Sequence, residues 1–297
     1  MAGEMKEVIC EQAILGESPV WDEQSQLFYW VDILGQYIHE YSPKTKRTRS
    51  IKINQMPGAV APSTKPGKLI GALQHGFYSV DFDTSLITPI FDPEEHKPNN
   101  RFNDGKCDPA GRFWAGTISL TREPEDAALY CLDSANGVQK KWSPVTTSNG
   151  LAWNKNKQAM YYIDTPTQSI TQFDYSLADG SIHDPKAIID FSEEHGKPDG
   201  MTIDADGNLW IAHFEGGRVS CWNPDTGKKQ EELILPASLI TSCTFGGENL
   251  TDLYITTARN KLTEDEQKKE PLAGYVFSYS LGIKGLPADH FMNENGS

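Results

Sequence analysis

Apolar and polar positions alternate in short runs along most of the chain, and helical periodicity is scarce. The stretch LFYWVDILGQYIHEYSPKTK reads as two strands about a turn at Leu34–Gly35, followed by a second turn at Ser42-Pro-Lys-Thr45. LWIAHFEGGRVSCWNPDTGK repeats the design about Gly216–Gly217, with a further turn at Asn223-Pro-Asp-Thr-Gly227. With their first strands these two units read SPVWDEQSQLFYWVDILGQYIHEY and MTIDADGNLWIAHFEGGRVSCWNP, and LAWNKNKQAMYYIDTPTQSITQFDY is a third. KCDPAGRFWAGTIS and CTFGGENLTDLYITTAR open two more units, and a weaker one starts near Gly58. The units begin near 17, 58, 103, 149, 199 and 242, a step of about 45 residues that matches a four-stranded propeller blade.

Six such units predict an all-β chain: a six-bladed β-propeller of four-stranded blades about a central channel, with residues 1–297 as a single domain. No blade can bury both faces of its small sheet alone, so the blades stack around an axis. The ring must also close, and KEVICEQAIL, ahead of the first unit, is predicted to supply the outer strand of the last blade.

The innermost strand of each blade lines the channel, so its first residues face the axis at one end. Those positions read Gly16-Glu17-Ser18-Pro19, Arg101-Phe102-Asn103-Asp104-Gly105, Ser148-Asn149-Gly150, Pro198-Asp199-Gly200 and Thr241-Ser242-Cys243. Asn-Gly and Asp-Gly are also strong hairpin turns. Here the turns come later, at Asn154–Lys157 and Asp204–Gly207, and one turn per hairpin suffices. Glu17, Asn149 and Asp199 therefore converge on the axis from three blades. Two carboxylates crowded there repel and are costly to desolvate, and a divalent cation removes the conflict. The all-oxygen donor set suits a hard ion, Ca²⁺ first, with Mg²⁺, Mn²⁺, Zn²⁺ or Fe²⁺ as alternatives. Gly200 is expected to give the backbone freedom to enter the channel.

These residues lie in GESPVWDEQSQLFYWVD, NNRFNDGKCDPAGRFWAGT, SNGLAWNKNKQAMYYIDT, PDGMTIDADGNLWIAHFEGGRV and TSCTFGGENLTDLYITTAR, which span residues 16 to 259. Together they resemble the SMP-30/gluconolactonase/luciferin-regenerating (regucalcin-like) family. The resemblance implies a six-bladed propeller with one divalent metal in its channel, and hydrolysis of a sugar lactone. It matches Glu17, Asn149 and Asp199 to the metal ligands, and Arg101 and Asn103 to the substrate-binding pair. Asp199 is the candidate to take a proton from water as well as to ligate. Asp104 is expected to brace Arg101 or to cap the local turn. The chain departs from animal regucalcin-like members after WAGT. It reads ISLTREPEDAALYCL, without the acidic substrate contact expected near Leu120–Thr121 and with a shorter lid.

Composition narrows the alternatives. A net charge of −14 argues against a nucleic-acid surface. No run of 18 apolar residues suggests a membrane span, and the N-terminus lacks the shape of a signal peptide. Five scattered cysteines without a CxxC pair point to reduced thiols and a cytoplasmic location. No GxSxG elbow or HExxH spacing is present. His213 follows an inner apolar strand and Cys243 lies near the axis like a nucleophile, but a hydrogen-bonded structural histidine and a buried structural thiol are the favoured readings, with access to the pocket the alternative for His213. Trp21, Trp114, Trp153 and Trp210 are expected in the core between blades, and LTEDEQKKEP reads as a solvated loop. A monomer or weak homo-oligomer acting on a small sugar lactone follows. Two rival readings stand beside it: a calcium-binding regulatory propeller with little turnover, and a metal-dependent esterase or phosphotriesterase.

Overall fold

The computed structural model describes residues 3–9 and 11–292. It contains six antiparallel sheets of four strands each, arranged as a six-bladed β-propeller. The inner strands, in blade order, are Gly16–Asp22, Pro57–Pro62, Asn100–Cys107, Ser148–Trp153, Lys197–Ile203 and Ile240–Gly246. Each lies within a few residues of the start predicted from the repeat. In blade one the sheet continues outward through Leu27–Asp32, Tyr37–Ser42 and Arg47–Lys52, and exposure rises along the way. Blade six is completed by Glu4–Ile9, which pairs antiparallel with Val276–Ser280, as the closing segment predicts. Among the described residues, no helix is long and apolar enough to cross a membrane.

The core divides as the architecture demands, with one apolar cluster at each junction between blades. Trp210, Val219, Phe245, Leu253 and Phe277 fill the junction of blades five and six. Trp21, Phe28, Trp30 and Tyr254 fill the closing junction of blades six and one, where the Phe28 and Tyr254 rings stack at 4.7 Å. Burying a side chain of this size contributes about 1.5–3 kcal/mol, so each junction is a substantial adhesive surface. All four tryptophans expected in the core are there, each 5 % exposed or less.

The turns that close the inner hairpins fall where the sequence places them. Lys157 N donates to Asn154 O at 2.9 Å, and Gly207 N to Asp204 O at 3.1 Å. One element is not foreseen. After the last blade, the chain crosses the end of the channel where the inner strands finish. There Gly285 bridges to Asp204 and Phe291 bridges to Ser63, while Met292 N donates to Gly111 O at 2.9 Å. This strap closes the end remote from Glu17. The segment read as a solvated loop contains a short helix, Glu264–Lys269, because Thr263 and Glu266 form a reciprocal capping box at its start. None of its residues is buried.

Candidate functional site at the open end of the channel

Every inner strand is irregular at the level of the site. The pairing register shifts between Glu17 and Val20, Pro57 and Ala59, Phe102 and Asp104, Asn149 and Leu151, Pro198 and Met201, and Ile240 and Ser242. Such bulges re-aim a side chain and increase local twist, here at the one level where six strands approach an axis. The two glycines that follow site residues have a different reason from backbone freedom. Neither Gly150 nor Gly200 has positive φ. A Cβ on Gly200 would lie 2.0 Å from Ser242 Oγ, and one on Gly150 would lie 2.7 Å from the Met201 Cβ and 2.9 Å from the Asp199 carbonyl oxygen. The expectation for Gly200 is thus corrected: close packing of neighbouring inner strands excludes a side chain.

The structure brings the five residues singled out from the sequence into one buried group. Glu17, Asn149, Asp199, Asn103 and Arg101 are each 8 % exposed or less. Asn103 links blades three and four, donating from Nδ2 to Asn149 Oδ1 at 2.9 Å and to Ser148 O at 2.8 Å. Arg101 Nη1 donates to Asn103 Oδ1 at 2.9 Å and to Phe102 O at 2.8 Å. Among the described residues, Arg101 Nε and Nη2 have no protein acceptor and remain available to a ligand.

Thr165 fixes the orientation of Asn149. Its hydroxyl donates to Pro198 O at 2.9 Å and accepts from Asn149 Nδ2 at 2.7 Å. The amide nitrogen therefore points away, and Oδ1 is the atom turned toward Asn103 and the axis. Sequence reasoning does not find Thr165, because a threonine between strands carries no distinctive signal.

The two carboxylates have almost no support. Glu17 Oε2 accepts from its neighbour Ser18 N at 3.0 Å. Among the described residues, Asp199 makes no side-chain hydrogen bond, and neither acid forms an ion pair. Burial pushes both carboxyls well above the ordinary range, and nearby acids push further: Asp199 and then Asp104 act on Glu17, and Asp104 acts on Asp199. Burial also lowers Arg101 to about 10, against the opposing pull of Glu17 and Asp199. Among the described residues no three His, Cys, Asp or Glu side chains group closely enough to hold a metal by themselves. The donor set is two carboxylates and one oriented amide oxygen. Two buried acids that form no ion pair, beside an aimed carbonyl, fit a hard divalent ion with open positions.

Several polar neighbours serve the fold. Asp104 accepts from the neighbouring Gly105 N at 2.7 Å and feels the half-buried Lys106, so it caps the bulge and does not brace Arg101. Lys106 Nζ in turn donates to Met201 O at 2.7 Å. His213 is wholly buried, with Nδ1 against His195 O at 2.8 Å and Nε2 against Ser220 Oγ at 2.6 Å. Burial lowers its pKa to about 4, and with both ring nitrogens engaged it is a structural imidazole, the reading the sequence favours. Cys243 is 1 % exposed and its thiol is pushed up to about 12 by burial, which leaves it inert. Cys10 lies outside the described residues; the other four cysteines are free and buried. Leu120 is exposed, and Thr121 pairs with Ser119 across their hydroxyls at 3.0 Å. A chamber of 230 Å³ at the strap end is lined by Asp104, Lys106, Trp153 and Leu286. None of the five site residues lines it, so it is distinct from the site.

Known proteins share this chain's sequence and fold. The chain is 42 % identical to the protein named "Putative sugar lactone lactonase YvrE" of Bacillus subtilis, over 92 % of this chain and 94 % of that one. It is equally identical to regucalcin of Danio rerio, over 94 % of this chain and 95 % of that one. Among solved structures, a luciferin-regenerating enzyme superposes with a TM-score of 0.90 at 31 % identity, covering 96 % of this chain and 97 % of that one. A regucalcin of Agrobacterium tumefaciens, described as a calcium-binding protein, superposes with a TM-score of 0.92 at 25 % identity, covering 98 % and 99 %. The family described as the SMP-30/gluconolactonase/LRE-like region matches residues 15–259, so the chain belongs to that family.

Proposed function

We propose that the protein opens sugar (aldono-) lactones to the aldonic acid, using one divalent metal ion held by Glu17, Asn149 and Asp199. The observation that carries the reading is the pair of buried carboxylates, neither in an ion pair, beside an amide oxygen oriented by Thr165. The names of the family and of its Bacillus relative support the substrate class. When bound, the metal supplies Lewis-acid polarisation of the lactone carbonyl and a lower pKa for water.

The chain's own residues do the rest. Arg101 Nε and Nη2 donate to ring hydroxyls and orient the lactone, and Asn103 Oδ1 accepts from a neighbouring hydroxyl. Asn103 also ties the substrate side of the site to Asn149. As water adds to the carbonyl carbon, the Asp199 carboxylate accepts its proton. The acyl C–O bond to the ring oxygen then breaks, and that proton passes to the leaving alkoxide, giving a hydroxyl and a carboxylic acid. The reading takes residues 1–297 as one domain that works as a monomer or weak homo-oligomer in the cytoplasm, where buried free thiols stay reduced.

A regulatory calcium-binding propeller is the second reading, favoured by the relative described as calcium-binding. Proton release from a panel of aldonolactones separates the two. Chelator-stripped protein should be inactive and regain turnover when given one divalent ion. Tight ion binding with no turnover on any lactone would favour the regulatory reading, and turnover confined to aryl esters or phosphotriesters would move the substrate class.

A further inference from the structure

The inner strands begin at the site end and their neighbours run antiparallel, so the connection from second to third strand of each blade lies on the site end. In blade five that connection is short, residues 215–217, whereas in blade six it runs from 258 to 275. Lys261 stands on this long excursion. Its ammonium lies 3.2 Å from Glu215 Oε1, and Lys197 Nζ lies 2.7 Å from Glu215 Oε2. The same ammonium sits 4.6 Å from the centre of the Phe214 ring. Glu215 holds φ at 65°, a left-handed conformation that non-glycine residues seldom adopt.

This cluster sits at the site end of blade five: Lys197 opens the inner strand that carries Asp199 two positions later, and it shares Glu215 with Lys261. Two ammonium groups share one carboxylate, so the cluster carries one uncompensated positive charge at a half-exposed position. Several other charged groups of the excursion are engaged elsewhere: Arg259 Nε donates to Ala13 O, Glu270 Oε2 accepts from Ser238 N, Glu266 caps the helix, and Lys268 pairs with Asp265. The complement to a surplus ammonium at the mouth is an anion on the substrate, remote from the lactone carbonyl.

We propose that Lys261 selects lactones bearing a second, anionic group, such as the monolactone of an aldaric acid, by pairing its ammonium with the distal carboxylate. This rests on the lactonase reading. The test compares kcat/KM for the 1,4-lactone of an aldaric acid with that for the 1,4-lactone of the matching aldonic acid, at low salt. In the wild type the ratio should favour the anionic lactone. In Lys261→Met it should fall about tenfold, through KM. Lys261→Arg should restore most of it, and Lys268→Met, which removes an equal charge from the same excursion, should not change it. A ratio unmoved in Lys261→Met, or moved as much in Lys268→Met, overturns the proposal. If neither lactone is turned over with any ion, the lactonase reading fails instead. Calorimetric binding of the open-chain aldarate against the aldonate, in wild type and Lys261→Met with metal present, then decides Lys261 by the same ratio.

Discussion

Asp199 and Asp204 stand at opposite ends of the inner strand of blade five, and both are buried. Asp204 accepts from Asp206 N at 3.0 Å, Asn208 N at 2.8 Å and Trp210 Nε1 at 3.0 Å. Asp108 is similarly filled in blade three, by Ala110 N, Arg112 N and Nε, Trp114 Nε1 and Tyr175 OH. Asp199 has no such donor among the described residues. A buried carboxylate surrounded by donors stabilises a turn, and one without them destabilises the fold until a ligand arrives. The same residue type, five positions apart, thus serves stability at one end of the channel and chemistry at the other.

The contrast is easiest to break at Asp199. Asp199→Ala should lower lactone kcat/KM by about 10³-fold or more, yet leave the metal-free protein as stable as the wild type, or more so, in urea unfolding. A destabilised variant would mean that Asp199 has a structural partner. Asp204→Ala should do the reverse. It leaves the buried Trp210 indole and two backbone N–H groups unpaired and should cost about 3 kcal/mol of stability, with turnover per folded molecule retained.

Packing sharpens the comparison further. Gly200→Ala should cost about 1–3 kcal/mol because the new methyl meets Ser242, and Ser242→Gly in the same chain should recover part of it. A fully stable Gly200→Ala would remove the packing explanation.

The pH dependence follows from the same carboxylates. Burial and neighbouring acids keep Glu17 and Asp199 protonated in the folded, metal-free protein at pH values where the unfolded chain has released those protons. Folding then takes up protons, so metal-free stability should fall as pH rises above the ordinary values of 4.5 and 3.8. Urea unfolding at a series of pH values should show this fall, and saturating metal or Asp199→Asn should reduce it. The smallest effect is expected from Cys243→Ala, which should retain turnover because its thiol stays protonated. A large loss would revive a nucleophilic role.

The fold was legible because the blade is a repeat. Each copy contains an acidic or glycine turn flanked by apolar strands, and the spacing of the copies counts the blades. The closing strand Glu4–Ile9 followed from the need to complete the ring. The grouping of Glu17, Asn149 and Asp199 was legible for the same reason, since equivalent positions in a closed ring share an axis. Less was legible where one contact decides a role. His213 follows an inner apolar run like a channel residue, yet Ser220 and His195 O occupy both ring nitrogens. Thr165, Lys106 and Lys261 gave no pattern, because their positions depend on contacts between blades and not on local periodicity. The strap after Ser280 was also hidden, because it joins the blades through isolated bridges instead of a strand-length pattern.

The most direct test is a calorimetric titration of chelator-stripped protein with Ca²⁺ and with Mn²⁺, in the wild type, Asp199→Asn and Asp204→Asn. One ion should bind per wild-type chain, with binding retained in folded Asp204→Asn and abolished or greatly weakened in Asp199→Asn. Undiminished binding in Asp199→Asn would contradict this, and would place any metal of this propeller somewhere other than the three residues that meet at the open end of its channel.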